Sequence, residues 1–104
     1  MGLLSSLFGK REKVDLGAWI QNGAVILDVR TKGEFQQGHI AGAVNIPLDQ
    51  LGSSIGKLKK EKAIITCCAS GMRSAAAKNL LRKQGFAQVE NGGSWQNLRK
   101  YKQK

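Results

Sequence analysis

Two runs, Ala24-Val25-Ile26-Leu27-Asp28 and Ala63-Ile64-Ile65-Thr66-Cys67, are apolar over nearly their whole length and show no alternation. A strand with one wet face alternates. A strand buried on both faces does not, and such strands belong to parallel sheets covered by helices. Helix signals lie around both runs. Asp15 is a good N-cap for a helix over 16–21, with Leu16, Trp19 and Ile20 on one face and Asn22-Gly23 closing it. Thr31 and Glu34 have capping-box spacing, which predicts a short helix over 32–36. Ala75, Ala76, Ala77, Leu80 and Leu81 predict a helix over 74–84 stopped by Gly85. Between these lie a brief strand from Val44 ended by Pro47, a helical turn over 48–51, a flexible loop over 52–56 and a basic stretch over 57–62. A short strand over 86–89, a turn at Asn91-Gly92-Gly93 and a last helix capped by Ser94 complete the chain. That helix runs through Trp95, Leu98 and Tyr101. Strands alternating with helices imply an α/β fold, a central parallel sheet of four to five strands with helices on both faces.

In such a sheet ligands bind beyond the carboxyl ends of the strands. Asp28-Val29-Arg30 and the segment following Cys67 both lie at such ends, so they can share one site. From Cys68 the chain reaches a helix within the run Ala69-Ser70-Gly71-Met72-Arg73-Ser74. So tight a curl turns successive backbone N–H groups inward and makes a nest for an anion. Gly71 permits the dihedrals required, and the positive end of the following helix faces the same cavity. Arg73 adds a fixed charge, directed either at the anion or at the loop's own carbonyls. A cysteine facing that cavity ionises more easily than a free thiol, so Cys68 is expected to be mostly thiolate at neutral pH. A thiolate can attack sulfur, phosphorus or carbon.

The totals narrow the partners. At 104 residues the chain holds one domain. We divide it into a short N-terminal extension (1–12), the domain (13–101) and a basic tail (102–104). Two adjacent cysteines cannot build a disulfide framework, and with one histidine they offer too few soft ligands for tetrahedral zinc. No cofactor or metal is expected. The formal charge of +10 favours anionic partners, but much of it sits in Lys10, Arg11, Lys13, Arg99, Lys100, Lys102 and Lys104. No recognition motif accompanies it, so we read a solvated surface and expect no nucleic acid. No stretch is long enough to span a membrane. Leu3, Leu4, Leu7 and Phe8 form a short apolar face, and Met-Gly-Leu-Leu-Ser-Ser matches a loose myristoylation pattern. Docking of that face on the domain, or fraying, is preferred to lipid binding. A cytoplasmic monomer is expected.

Two frames describe the loop. Counted from Cys67 it is Cys-x5-Arg-Ser, the spacing of cysteine-dependent phosphatases, but Ser70 and Thr66 stand where those enzymes carry glycine and histidine. Counted from Cys68 it is Cys-x-x-Gly-x-Arg-Ser, which resembles the active-site loop of the rhodanese sulfurtransferases. Leu27-Asp28-Val29-Arg30-Thr31-x-x-Glu34-Phe35-x-x-Gly38-His39-Ile40-x-Gly42-Ala43-x-Asn45-Ile46-Pro47 is similar to that family's N-terminal signature. Gly85-Phe86 and Gly92-Gly93-x-Trp95 are similar to its C-terminal segment. The resemblance covers roughly residues 14–98.

The resemblance implies a rhodanese-like fold and a thiosulfate sulfurtransferase. Cys68 would attack the outer sulfur of a small anionic donor, carry it as a persulfide, and yield it to a thiol or cyanide. Ala69, Ser70, Gly71, Met72 and Arg73 would form the substrate cradle, with Asp28, Arg30 and Ser74 in support. Asp28 and Arg30 are read as scaffold, satisfying each other or loop backbone, and Arg73 as either substrate ligand or loop brace. Cys67 is read as a buried small hydrophobe, His39 as a hydrogen-bonded turn residue, Glu34 as a cap and Trp95 as core. Family loops often place a basic residue where Ala69 stands and a polar one where Met72 stands. That departure points away from tight thiosulfate binding and towards a protein or small-molecule persulfide donor. The alternatives are a phosphatase or arsenate reductase working through Cys67, and a non-catalytic binding module, whose usual mark is loss of the loop cysteine.

Overall fold

The computed structural model describes residues 14–101. The apolar segment near Met1 and the basic tail both fall outside the described residues. In chain order the elements are α1 (Leu16–Gln21), β1 (Val25–Asp28), α2 (Lys32–Gln37), β2 (Val44–Asn45), α3 (Leu48–Leu51), a 3-10 helix (Gly52–Lys57), β3 (Ile64–Cys68), α4 (Met72–Lys83), β4 (Val89–Ser94) and a second 3-10 helix (Trp95–Leu98). The four strands form one parallel sheet in the order β2-β1-β3-β4.

The alternation missing from the sequence appears as two cores. Leu27 and Ile64 point to one face, where Leu51, Ala77, Leu81 and Phe86 cover them. Ile26 and Ile65 point to the other, beneath Ile20, Ile40 and Leu98. α3, the first 3-10 helix and α4 thus cap one face, while α1 and the C-terminal 3-10 helix cap the other. The aliphatic residues of β1 and β3 thus find apolar neighbours on both sides, so neither side shows a polar stripe.

Local signals place α1 and α2 well. The Asp15 side chain accepts the Ala18 N–H, and Thr31 and Glu34 form the full capping box. Four expectations need correction. The chain over 52–56 is a 3-10 helix running to Lys57, continuous with α3, so glycine and serine there do not make a loose loop. α4 begins at Met72 and not Ser74. The last strand is Val89–Ser94 and not 86–89, so the Asn91-Gly92-Gly93 stretch runs within a strand and is not a turn. Phe86, though not in a strand, is buried in the α4-side core. The final helix is one short 3-10 segment. Asn-Gly-Gly is a turn signal when judged by its neighbours, but pairing along β3 overrides it.

Candidate active site

Both cysteines lie at the C-terminal end of β3, still paired within the sheet, and the pleat separates them. Cys68 belongs to the core on the α4 side and Cys67 to the core on the α1 side. Both are free thiols with no exposed surface. Residues Ala69 to Gly71 then turn the chain into α4. Gly71 makes that turn with φ +103°, in the left-handed region where a side chain is strained.

The N-cap of α4 is Gly71, which has no side chain to cap it. The sulfur of Cys68 takes that place. It accepts the Gly71 N–H at 3.0 Å and the Ser74 N–H at 3.4 Å, and lies 3.4 Å from Ser74 Oγ. The free N–H groups of a helix start, with the positive end of its dipole, thus converge on one sulfur. Burial by itself would raise the Cys68 pKa. The Ser74 hydroxyl and the N–H groups of Ser74, Gly71 and Ser70 outweigh it and hold the thiol below its ordinary value. Cys67 behaves oppositely. Burial, then the neighbouring Asp28 carboxylate, push its thiol up to about 12 against the pull of Arg30.

Arg73 does not point freely into the cradle. Its Nη1 and Nη2 donate to the two carboxylate oxygens of Glu34 at 2.7 and 3.1 Å. The pair is partly exposed, at 36% and 37% of side-chain surface. The Arg73 hydrogen bond, then the Thr31 N–H, hold the Glu34 carboxyl down to about 2. Of the two roles open to Arg73, this geometry is that of a brace, tying the start of α4 to the start of α2. Glu34 is therefore more than a cap.

Asp28 and Arg30 form a second, buried pair. Arg30 Nε and Nη2 donate to Asp28 at 2.9 and 2.7 Å. Nη2 also donates to the Gly38 carbonyl at 2.7 Å and Nη1 to the Glu34 carbonyl at 3.3 Å, and Cζ lies 4.7 Å from the Trp95 ring centre. A side chain on Gly38 would press on that ring, since an added Cβ would stand 3.2 Å from Trp95. Asn45 donates to the backbone carbonyls of both Asp28 and Arg30. These residues build the wall beside Cys67 and make no hydrogen bond to the Cys68 sulfur. His39 stacks on Phe35 at 3.7 Å, with Nδ1 against the Phe35 carbonyl at 2.7 Å, as a turn residue.

One residue of the site escaped the sequence reading. Asn91 Oδ1 accepts the Ser74 hydroxyl at 2.6 Å and the Gly93 N–H at 2.9 Å, while its Nδ2 donates to the Gly71 carbonyl at 3.1 Å. It links β4 to both ends of the Cys68 cradle. The pairing that places it is irregular. Thr66 faces Asn91 but Cys68 faces Ser94, so β4 holds one extra residue there. Nothing local in Asn-Gly-Gly signals this.

Within the loop itself only Arg73 carries a charge, and it is paired with Glu34. Ala69 and Ser70 are exposed, and Met72 is 79% exposed. Beside Arg73 lies an open hollow of ≈310 Å³ whose walls include Val29, Pro47, Leu48 and Asp49.

The rhodanese-like domain family model matches residues 12–98. The chain is 40% identical over 68 residues to the uncharacterized protein YqhL of Bacillus subtilis, covering 65% of this chain and 54% of that protein. It is 34% identical over 74 residues to the thiosulfate sulfurtransferase PspE of Escherichia coli, covering 69% and 71%. Among solved structures, the human single-domain sulfurtransferase TSTD1 superposes with a TM-score of 0.70 or better, at 0.73, with 29% identity over 84% of this chain and 92% of that one. A rhodanese with anions from E. coli gives 0.69 and 32%, over 74% and 93%. The chain spans about half the length of the first curated relatives it matches.

Proposed function

This chain belongs to the rhodanese-like sulfurtransferase family, and from that premise we propose that it transfers a sulfane sulfur through a persulfide on Cys68. The observation that carries the reading is the sulfur of Cys68 seated at the uncapped start of α4, with backbone N–H groups directed at it.

The reaction has two halves. The Cys68 thiolate attacks the outer sulfur of the donor. A new Sγ–S bond forms, the donor's S–S bond breaks, and the leaving group departs with the bonding pair, as sulfite if the donor is thiosulfate. The persulfide anion left on Cys68 is stabilised by the N–H groups of the cradle. An acceptor thiolate, or cyanide, then attacks the outer sulfur, and Cys68 leaves as a thiolate. Each half needs Cys68 as an anion, once as nucleophile and once as leaving group, so one depressed pKa serves both.

The donor we favour is a persulfide carried on a larger thiol, with thiosulfate as the simpler alternative. Arg73 is neutralised by Glu34, which leaves little free charge for a small dianion. Exposed Met72 and the hollow beside Pro47 and Leu48 suit the body of a bulkier carrier. Two free thiols suit a reducing compartment such as the cytoplasm. A phosphatase centred on Cys67 has nothing to support it, since that thiol is turned from the cradle and held to about 12.

Intact-protein mass spectrometry after donor treatment tests the proposal. The wild type should gain the mass of one sulfur atom and lose it to cyanide. Cys68→Ser should gain nothing. Cys67→Ser should still gain it, at a stability cost of about 1–3 kcal/mol for burying a hydroxyl in an apolar site. Uptake that survives Cys68→Ser but not Cys67→Ser sinks the assignment.

A further inference from the structure

We propose that Asn91 is a positioning residue that governs which partner holds the Ser74 hydroxyl proton, and through it how readily Cys68 ionises. An amide side chain has one acceptor oxygen and one donor nitrogen. Asn91 Oδ1 faces a donor, the Gly93 N–H, and Nδ2 faces an acceptor, the Gly71 carbonyl. Exchanging the two would set donor against donor and acceptor against acceptor, so the orientation is unique. Oδ1 must therefore accept from Ser74 Oγ, at 2.6 Å.

Ser74 has a single hydroxyl proton, and Asn91 holds it. The oxygen lone pairs of Ser74 are then what Cys68 meets at 3.4 Å. That arrangement suits a thiol, whose S–H can donate to Ser74 Oγ. It does not suit a thiolate, which needs a donor. When Cys68 loses its proton to solvent, the Ser74 hydroxyl must turn from Asn91 to the sulfur. Asn91 Oδ1 is not orphaned by the move, because the Gly93 N–H still bonds to it. The hydroxyl thus has two seats, and Asn91 competes with the thiolate for its proton. The bulge in β4 puts Asn91 in this position, and Gly93, at φ +79°, folds the backbone onto the Asn91 side chain.

Other groups near Cys68 do not offer the same control. From β3, Cys67 stays protonated across the useful range. From α4, Arg73 is already paired with Glu34 of α2. From β1, Asp28 and Arg30 neutralise each other. On β4, Glu90 is engaged by Lys78 and Arg82.

The idea rests on Cys68 as the sulfur carrier only for its consequence in turnover, since ionisation is read without any donor. The test is ultraviolet titration of the Cys68 thiolate in four proteins: wild type, Ser74→Ala, Asn91→Ala and the double variant. Asn91→Ala should free the hydroxyl for the sulfur and lower the midpoint. Ser74→Ala should raise it. Each change should be about 2- to 10-fold in the ionisation equilibrium, the weight of one hydrogen bond. The double variant should match Ser74→Ala, because the effect on the sulfur runs through that hydroxyl and not through the Asn91 bond to the Gly71 carbonyl. An Asn91→Ala protein with a raised or unchanged midpoint, or an equal Asn91 effect without Ser74, overturns the proposal. A second readout uses the unaltered protein. The Asn91 side-chain amide resonances should move with the Cys68 midpoint, and in Ser74→Ala that movement should collapse. Resonances that ignore the ionisation also overturn it. A protein that titrates as described but never gains a sulfur atom would leave this inference standing and defeat only the persulfide assignment.

Discussion

At the scale of the residue, two neighbouring thiols with the same side chain have opposite chemistry. Cys68 faces the N–H groups of a helix start, while Cys67 faces aliphatic side chains and the Asp28 carboxylate. Environment, not identity, decides which can serve as a nucleophile. Glu34 is a second case. Its carboxyl titrates at about 2 in the folded chain against an ordinary 4.5. A depressed folded pKa means that the pair stabilises the fold fully above about 4.5, and that this contribution is lost as pH falls from there towards about 2. The pair is more than a third exposed, so the effect is modest. Chemical denaturation of wild type and Glu34→Gln should therefore show a small constant gap near neutral pH that narrows in acid. A gap that holds its size down to pH 2 contradicts the pairing. Glu34 was legible as a cap because Thr31 lies three residues away. Its bond to Arg73 was not legible, because nothing within one helical turn refers to it.

At the scale of the element, the site is a junction between β3 and α4 braced by β4. Two glycines make the junction possible for different reasons. Gly71 carries a positive φ, and a side chain there would also meet Gly93 at 3.4 Å. Gly92 has no unusual φ, but an added Cβ would stand 2.8 Å from Ile65 Cγ2 and 3.1 Å from the Thr66 carbonyl. Gly71→Ala should cost about 1–2 kcal/mol from the left-handed backbone, and slow sulfur uptake because its N–H bonds to the Cys68 sulfur. Gly92→Ala should cost about 1–3 kcal/mol from overpacking. Gly33→Ala is the control. It lies in α2 with nothing within 4 Å, and should be neutral or stabilising by up to about 1 kcal/mol. Thermal unfolding of the three proteins checks the ranking. A Gly71→Ala protein as stable as Gly33→Ala would remove the strained turn from the account. α4 itself was legible from its alanines and leucines, whereas its start at Met72 was not. The usual marker, a capping side chain at the preceding residue, is replaced by a sulfur from β3.

At the scale of the whole molecule, the Asp28–Arg30 pair ties together parts far apart in the chain. It joins the end of β1 to the carbonyls around α2 and to Trp95 after β4. Asp28 has no exposed surface and Arg30 only 4%. Removing one partner of such a pair leaves an uncompensated buried charge and costs about 3–5 kcal/mol. That is a large share of the roughly 5–15 kcal/mol that holds a domain folded. Arg30→Ala should therefore lower the denaturant midpoint far more than Glu34→Gln. Equal effects would mean that the buried pair is not the tie described. Among the described residues no helix is long and apolar enough to cross a membrane.

What the chain determined by itself is whatever depends on near neighbours: unalternating strands, the Thr31–Glu34 capping box, the glycine turn after Cys68 and the order of elements. These follow from backbone preference and from contacts within a few residues. The tertiary structure supplied the physical reason for Cys68 over Cys67, because a shift of one residue along a pleated strand reverses the face. Only it gave Arg73 a partner 39 residues away and Ser74 one 17 residues away. Such partners are set by how β1, β3 and β4 register side by side, and the bulge that brings Asn91 to the Cys68 cradle exists only once β4 has paired with β3.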